Sequence, residues 1–342
     1  MNRYSFSIFC VLFTVILCTN CGKTNDEVSH CPCFERDLPT NGNPDWKVPE
    51  SNFVGIENIS FENYPRVDGS TSANILNTMV AYKLLGIPFA WRQGFSEWYL
   101  EPLWSDIPEK YRDNYLDIPV MTSQTHGAFM NLIDGGTDII LTHRTISPDE
   151  KLHADAVGVS LIETPIALDA FVFVVHKDNP IQSLTIDQIQ KIYTNKITNW
   201  KQIGGKNAEI HALSRPRNSG SEEVFRTLVM NGIEPADFPD ASIISPMAAV
   251  FKEVIDNSIC YTFNTYKDLQ ARVFCDQVPV IAINDICPSE ITVKNGTYPF
   301  ISEVHVAIRS DLDHNSMAYK LYEWLQSEHA KYTLTECGFI PK

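Results

Sequence analysis

The sequence predicts an α/β fold with room for two lobes, on three observations. Apolar runs of strand character alternate with segments of helical periodicity from about residue 64 onward, and this alternation is typical of α/β proteins. The chain has 342 residues, 44% of them hydrophobic, which suffices for one large domain or two of ordinary size. Three loops rich in Ser, Thr and Gly each open a helical pattern.

Residues 1–20 have the pattern of a secretory signal peptide. Arg3 precedes the apolar run 6–18, which is shorter than the ~20 residues that a membrane-spanning helix needs. Cys21, followed by a polar stretch, resembles the lipidated cysteine of a bacterial lipoprotein signal. We therefore expect a membrane-anchored protein of the periplasm or cell surface, held through a lipid on Cys21 only. Ordinary signal cleavage beside an unmodified Cys21 is the alternative.

The next segment, residues 21–61, is polar and rich in turn-forming residues, and it is interpreted as a tether. The Cys31–Cys33 motif lies within it without a second pair of ligands, so we predict no metal site there. An exported chain can form disulfides. Cys260, Cys275 and Cys287 are close enough in sequence to pair across neighbouring strands.

The rest of the chain gives strand and helix candidates in alternation. The strand candidates are residues 137–141, 170–175, 209–213, 278–283 and 304–308. The helix candidates are residues 73–85, 128–134, 186–193, 222–230 and 317–327. Capping boxes that begin at Ser147 and Thr185 mark two helix starts. Residues 86–119 are rich in aromatic side chains and are expected to be an insertion packed against the main fold, with a binding platform as the alternative.

The three loops are the candidates for chemistry. They are residues 68–72 (DGSTS), residues 125–127 (THG) and residues 215–221 (RPRNSGS). The first N–H groups of a helix lack intrahelical acceptors and carry partial positive charge. Glycine permits close backbone approach, and Ser and Thr hydroxyls add uncharged donors, so each loop can cradle an anion. Arg215 could add a bidentate pair to an oxyanion. One such loop alone would indicate only helix capping.

The charge balance limits the possible partners. Formal net charge is −15, from 27 Lys and Arg against 42 Asp and Glu. Binding to nucleic acid or to an anionic membrane surface requires a field of positive charge, so neither is expected. An anion also gains nothing from long-range steering toward this chain. Any anion site must therefore be local.

Several motifs resemble the phosphate-type solute-binding proteins of bacterial ABC importers. The most specific stretch runs from residue 170, AFVFVVHKDNPIQSLTIDQIQKIYTNKITNWKQIGG, and continues with SRPRNSGSEEVF at residue 214. Earlier, DGSTS and NLIDGGTDIILTHR also fit the family pattern, as does the closing CGFIPK. The resemblance extends from about residue 64 to residue 342, with residues 86–119 as an insertion.

The resemblance implies a type II periplasmic binding protein fold, which consists of two α/β lobes joined by hinge strands around a central ligand cleft. Lobe 1 would comprise residues 62–166 and, after the chain returns, residues 299–342. Lobe 2 would comprise residues 167–298. The hinge would lie near residues 163–170 and 298–303, and the ligand would be captured by domain closure.

The family's ligand contacts can be carried over residue by residue. They fall on Ser70, Thr71, Ser72, Thr125, Thr142, His143, Arg215, Ser219, Gly220 and Ser221. The sequence departs from the family at His143, where many phosphate binders have an acid that accepts a hydrogen bond from protonated phosphate. This departure leaves the choice of oxyanion open. His143 could equally be a strand-end histidine with structural partners, and Arg144 is expected in solvent or in a salt bridge between the lobes.

The function implied by the resemblance is capture of a small oxyanion, with phosphate preferred, for an ABC importer. The expected partners are the small inorganic anion and the permease subunits, and the protein is expected to be a monomer without a cofactor. A sensing or surface-interaction protein of the same fold, without a transport role or with a different ligand, is the alternative. A serine hydrolase that uses Ser219 with His143 or His176 is a third and weaker hypothesis, since the sequence has no G-x-S-x-G elbow.

Overall fold

The structure is a computed structural model that describes residues 30–32, 53–95, 97–103, 109, 120–239, 242–244 and 247–342. The predicted signal peptide, Cys21, most of the predicted tether and much of the second half of the aromatic insertion lie outside these residues. Within the described residues, no helix has the length and apolar composition to cross a membrane.

The chain alternates between strands and helices along its length. The strands are β1 (Val67–Gly69), β2 (Phe89–Gln93), β3 (Trp98–Pro102), β4 (Ile139–Thr142), β5 (Leu161–Val175), β6 (Ser183–Leu184), β7 (His211–Ala212), β8 (Ser258–Phe263), β9 (Ala282–Ile283), β10 (Ile301–Arg309) and β11 (Ile340–Pro341). The helices are α1 (Asn74–Leu84), α2 (Gln124–Ile133), α3 (Pro148–Val157), α4 (Ile186–Tyr193), α5 (Gly220–Val224), α6 (Met247–Glu253), α7 (Glu290–Lys294), α8 (Met317–Leu325) and α9 (Glu328–Glu336). Helix α5 continues as a wider turn of π-helix over Phe225–Met230.

One mixed sheet runs through the molecule in the order β1-β4-β10-β5-β8-β7, with β11 beside β5. The long strand β5 joins its two halves. Up to Ala170 it pairs with β10, and from Phe171 onward it pairs with β8. The strand beginning at Ile301 returns beside this crossing point, where Phe171 N donates to Phe300 O at 2.9 Å. The two predicted hinge segments therefore lie side by side.

Two large hydrophobic cores lie on either side of this crossing. One is built around Phe171, Phe173 and Tyr261 and draws most of its side chains from residues 170–300. The other contains Leu76, Phe89 and further side chains from the N-terminal part and the C-terminal return of the chain. A small third cluster around Phe129 completes the second half. Separate cores give each half its own rigidity, which is the usual basis of hinged lobes.

Several predicted elements are found where the sequence placed them. Helix α4 spans residues 186–193, and both capping boxes form, at Ser147 and at Thr185. In the aromatic insertion, β2 and β3 pair as an antiparallel hairpin. Phe89, Trp91 and Leu100 of this hairpin are buried in the second core. The described part of the insertion thus packs against the main fold, as expected.

The pairing that sequence proximity suggested among Cys260, Cys275 and Cys287 does not form. Cys287 forms a disulfide with Cys31, 256 residues away, and not with Cys260 or Cys275. Cys31 is buried and also pairs by its backbone with Val280. This part of the predicted tether is therefore fixed to the fold. Composition indicated a free tether because the partner that orders Cys31 is remote in sequence.

The expected place of Arg144 is also wrong. The guanidinium is buried and makes a bidentate pair with Glu150, with Nη1 at 2.8 Å from Oε2 and Nη2 at 2.7 Å from Oε1. Glu150 lies in α3, which belongs to the same half of the molecule, and also closes the Ser147 capping box. Arg144 is therefore neither solvated nor engaged between the lobes.

Candidate functional site

A small cleft lies where the two halves meet, with about 290 Å³ of empty space including its open mouth. Eight of the ten predicted ligand-binding residues line this central cleft: Ser70, Thr71, Ser72, Thr125, Arg215, Ser219, Gly220 and Ser221. They come from all three predicted loops. The remaining lining residues are Gln124, Met247 and Phe263.

The first loop enters the cleft from β1. The chain leaves the strand at Gly69, takes an extended conformation at Ser70 and turns into the short 3₁₀ segment Thr71–Ala73, which leads into α1. Gly69 is required here, because a Cβ would lie 2.5 Å from Leu141 O. The hydroxyls of Ser70 and Ser72 are 3.1 Å apart. Both residues line the cleft at a helix start, where the first N–H groups have no intrahelical acceptor.

Buried Asp68 ties the first loop to the second. One carboxylate oxygen, Oδ1, accepts from Gly69 N at 2.7 Å and from Ser123 N at 2.8 Å. The other, Oδ2, accepts from Asn131 Nδ2 at 2.8 Å. Ser123 precedes α2, so this carboxylate fixes the start of α2 beside the start of α1. Asp68 is the first residue of the DGSTS motif, and its role as a tie between the loops was not predicted from the sequence.

The third loop supplies the only charged side chain among the described residues that line the cleft, Arg215. Its Nε donates to Ser221 Oγ at 3.2 Å, and its Nη1 donates to Ile244 O at 2.6 Å. Ser219 caps α5, since its hydroxyl accepts from Glu222 N at 3.3 Å. Arg215 is thus held in place by two contacts and still lines the cleft.

A buried hydrogen-bond network supports Arg215 from behind. Tyr261 OH accepts from Arg215 N at 3.1 Å and donates to the Glu222 carboxylate. Burial lowers the pKa of Arg215 overall, and nearby Tyr261 and Glu222 offset part of this shift. An arginine starts so far above neutral pH that it keeps its charge. Desolvation, reinforced by the nearby Glu222, raises the pKa of Tyr261 well above its usual range, so its hydroxyl remains a donor.

The two halves touch across the cleft. Gly220 lies against Thr125 so closely that a Cβ at this position would overlap Thr125 Oγ1 and lie 3.1 Å from Thr125 Cβ. Asn218 Nδ2 donates to Asp149 Oδ2 at 3.0 Å. These contacts join the third loop to α2 and α3 of the other half, which gives the cleft a closed form.

Thr142 and His143 lie behind the cleft and not along its wall. Thr142 Oγ1 donates to Arg144 O at 2.8 Å. His143 is buried, with Nδ1 at 2.8 Å from Ser72 Oγ and Nε2 at 3.3 Å from Asp169 Oδ2. We therefore place neither of them against a ligand. Thr142 ends β4 and His143 follows it. The alternation of polar and apolar residues stops there, so the sequence could not show whether these side chains point into the cleft.

Three lining residues were not named from the sequence. Gln124 has a positive φ of 63° at the start of α2, a conformation that a sequence does not reveal for this residue type. Met247 begins α6, and Phe263 ends β8. The Phe263 ring lies 4.1 Å from the His143 ring, centroid to centroid. Apolar side chains at a cleft look like core residues in sequence.

This arrangement is suited to a small anion. The starts of α1, α2 and α5 meet at the cleft, and the first N–H groups of a helix lack intrahelical acceptors and carry partial positive charge. Arg215 adds one formal charge, and Ser and Thr hydroxyls surround it. Because all of these groups are short and uncharged except Arg215, the cleft matches a compact oxyanion better than an extended organic ligand.

Comparison with known proteins gives consistent results. A family model described as a PBP superfamily domain matches residues 96–329. The phosphate-binding protein PstS of Bacillus subtilis is 25% identical over 248 residues, which are 71% of this chain and 77% of the relative. PstS of Staphylococcus saprophyticus is 33% identical over 212 residues, which are 60% of this chain and 66% of the relative.

Solved structures agree on the fold. A putative phosphate ABC transporter substrate-binding protein with bound phosphate from Clostridium perfringens superposes with a TM-score of 0.60 at 22% identity, over 83% of this chain and 99% of that one. An ABC-type phosphate transport receptor from Vibrio cholerae gives 0.54 at 22% identity, over 80% and 98%. The predicted two-lobed α/β fold and the resemblance to phosphate-type solute-binding proteins are confirmed. The chain belongs to the PBP superfamily.

Proposed function

We propose that this chain is an extracytoplasmic solute-binding protein that captures phosphate and delivers it to an ABC importer. The observation that carries the proposal is the cleft in which Arg215 and three helix starts meet between two lobes. Relatives named for phosphate binding support the choice of ligand. Lobe 1 (62–166 and 299–342) would supply Ser70, Thr71, Ser72 and Thr125, and lobe 2 (167–298) would supply Arg215 and Ser219–Ser221.

Closure of the lobes provides a way for an importer to recognise the loaded protein. Both lobes contribute to one anion, so the closed state binds it better than the open state does, and a permease can distinguish the two forms. Relatives described as ABC transporter substrate-binding proteins support this step. If the protein had a sensing or surface role without transport, no permease subunits should co-purify with it. Co-purification from membranes of the native host separates the two.

The location rests on the N-terminus and the disulfide. The Cys31–Cys287 disulfide suits an oxidising compartment outside the cytoplasm. The signal-like segment 1–20 and Cys21 support export and lipid anchoring at the membrane. One chain supplies both walls of the cleft, so a monomer suffices for binding, and we propose that state.

We propose a binding role without catalysis. The hydrolase hypothesis needs Ser219 beside a histidine, but the Ser219 hydroxyl serves as the N-cap of α5. His143 contacts Ser72 instead, and His176 lies near Asp178 and Asp256 outside the cleft lining. The family to which the chain belongs is one of binding domains.

The substitution Arg215→Ala tests the proposal. We expect phosphate affinity, measured by isothermal titration calorimetry, to fall by at least about 10-fold, since hydrogen bonds to charged groups are each worth ~1.5–3 kcal/mol. The matched control is Arg217→Ala, because Arg217 is on the same loop but exposed, and we expect it to leave affinity unchanged. Equal phosphate binding by Arg215→Ala and the parent would show that the anion does not sit at this loop.

A further inference from the structure

A hydrogen-bonded chain runs from Asp169 to the wall of the cleft. His143 Nε2 lies 3.3 Å from Asp169 Oδ2, and His143 Nδ1 lies 2.8 Å from Ser72 Oγ. Ser72 Oγ lies in turn 3.1 Å from Ser70 Oγ. All four side chains are buried, and the two serines line the cleft. The direction of the hydrogen bonds along this chain decides what the serines offer a ligand.

Asp169 fixes that direction. An ionised carboxylate only accepts hydrogen bonds, and its Oδ1 already accepts from Ala170 N at 2.8 Å and Thr265 N at 3.1 Å. Oδ2 is therefore suited to a donor from His143, and in a neutral ring that proton lies on Nε2. Nδ1 is then an acceptor, and the partner that must donate to it is the Ser72 hydroxyl.

The direction of these hydrogen bonds determines what the Ser70 and Ser72 hydroxyls offer to a ligand in the cleft. A serine has one hydrogen, and that of Ser72 is used on His143. In the contact between the two serines, Ser70 must then be the donor. While this contact holds, both hydroxyls present lone pairs and no free hydrogen. Ser70 and Ser72 of the first loop thus present acceptors, where the sequence predicted donors for the anion.

We propose that the Asp169–His143–Ser72 relay makes the site specific for an oxyanion that carries a hydrogen, and that Asp169 is a positioning residue for this selectivity. The inference rests on the proposed function. It gives the site a hydrogen-bond acceptor for a protonated oxyanion, although His143 stands where many phosphate binders have an acid. Phosphate keeps at least one hydrogen at neutral pH and can donate it to a serine oxygen. Sulfate keeps none, so it would face unpaired acceptor oxygens in a buried site.

The substitution Asp169→Asn reverses the relay in a predictable sense. The amide oxygen takes over the backbone N–H groups of Ala170 and Thr265, because only an oxygen can accept from them. The amide nitrogen then faces His143 Nε2 and donates to it. The ring proton moves to Nδ1, Ser72 accepts from it, and the Ser72 hydrogen is released toward the cleft.

The test measures phosphate and sulfate affinity by calorimetry for the full chain, purified in mild detergent at neutral pH. We expect the parent to bind phosphate and to bind sulfate at least about 100-fold more weakly. In Asp169→Asn we expect phosphate to bind about 10- to 100-fold more weakly and sulfate to bind more tightly. The matched control is Ser302→Ala, since Ser302 Oγ donates to the His143 backbone carbonyl at 3.1 Å and leaves the ring untouched. We expect it to keep the parent's selectivity.

Nitrogen-15 NMR of the His143 ring reads the relay without a ligand. We expect Nε2 to carry the proton and Nδ1 to be unprotonated in the parent, with the reverse in Asp169→Asn. A proton on Nδ1 in the parent, a parent that binds both anions alike, or an unchanged selectivity in Asp169→Asn would each overturn the relay. If the parent binds neither anion, the proposed function fails, and the NMR result still decides the relay by itself.

Discussion

Asp68 is a side chain that ties the first two loops together. It is buried, and it accepts from backbone N–H groups on both loops, those of Gly69 and Ser123. A carboxylate is suited to this position because its two oxygens can serve several donors at once. The loops belong to different elements, so this tie sets their distance before any ligand arrives.

We predict that Asp68→Ala lowers both stability and affinity. The buried N–H of Gly69 and the part-buried N–H of Ser123 would lose their acceptor. Each unmade hydrogen bond costs ~1–3 kcal/mol, so the free energy of unfolding should fall by about 3 kcal/mol. Phosphate binding should weaken as the starts of α1 and α2 move apart. Urea denaturation and calorimetry measure the two effects.

The control for Asp68→Ala is a neighbouring polar substitution on the surface. Thr122 is exposed, and its hydroxyl donates to Asn74 at 2.8 Å. Thr122→Ala should change the free energy of unfolding by less than about 0.5 kcal/mol. If Asp68→Ala were as stable as this control, the carboxylate would not be the tie between the loops.

At the scale of elements, the starts of helices were predictable from the sequence, and the direction in which strand residues point was not. Capping boxes and the three Ser/Thr/Gly loops are local signals, so α4 and the cleft-lining loops could be read from neighbouring residues. The hairpin of β2 and β3 was missed because its aromatic residues show no clear alternation. The burial of His143 behind Ser72 depends on how β4 meets the rest of the sheet, which no local pattern states.

Closure of the cleft depends on the contact between α5 and α2. Gly220→Ala would introduce a Cβ that overlaps Thr125 across the lobes. We predict that the variant folds with unchanged thermal stability in the absence of phosphate but binds phosphate at least about 10-fold more weakly, because the closed state is the one that binds. Small-angle X-ray scattering with phosphate should show a more open molecule than the parent.

Gly55→Ala is the control for this substitution. Its Cβ would meet Phe53 Cε1 at an ordinary distance of 3.5 Å, so affinity and shape should match the parent. Parent-like affinity in Gly220→Ala would mean that the lobes do not need this close approach to hold the anion.

At the scale of the whole molecule, the division into lobes was predictable, and the disulfide that joins Cys31 to the distant Cys287 was not. The resemblance implied two lobes, and β5 with the start of β10 provides the adjacent crossings. The Cys31–Cys287 disulfide joins residues 256 positions apart. Sequence proximity suggested other partners, and only the packing of Cys31 beside Val280 selects Cys287.

The whole molecule also sets the electrostatic background of the site. Its formal net charge of −15 repels an anion at long range. Favourable interactions must therefore come from Arg215 and the helix starts inside the cleft, where solvent ions screen them less than they screen surface charges. Binding by such a site differs from binding to a surface patch in its response to salt.

Calorimetric titration of the full chain with phosphate at about 0.05 M and about 0.5 M NaCl tests this central claim most directly. We predict saturable binding of one phosphate with nearly the same affinity at both concentrations, because the interactions are local and buried. A folded protein that gives no heat with phosphate, or one whose affinity falls steeply with salt, would contradict capture of phosphate in the central cleft.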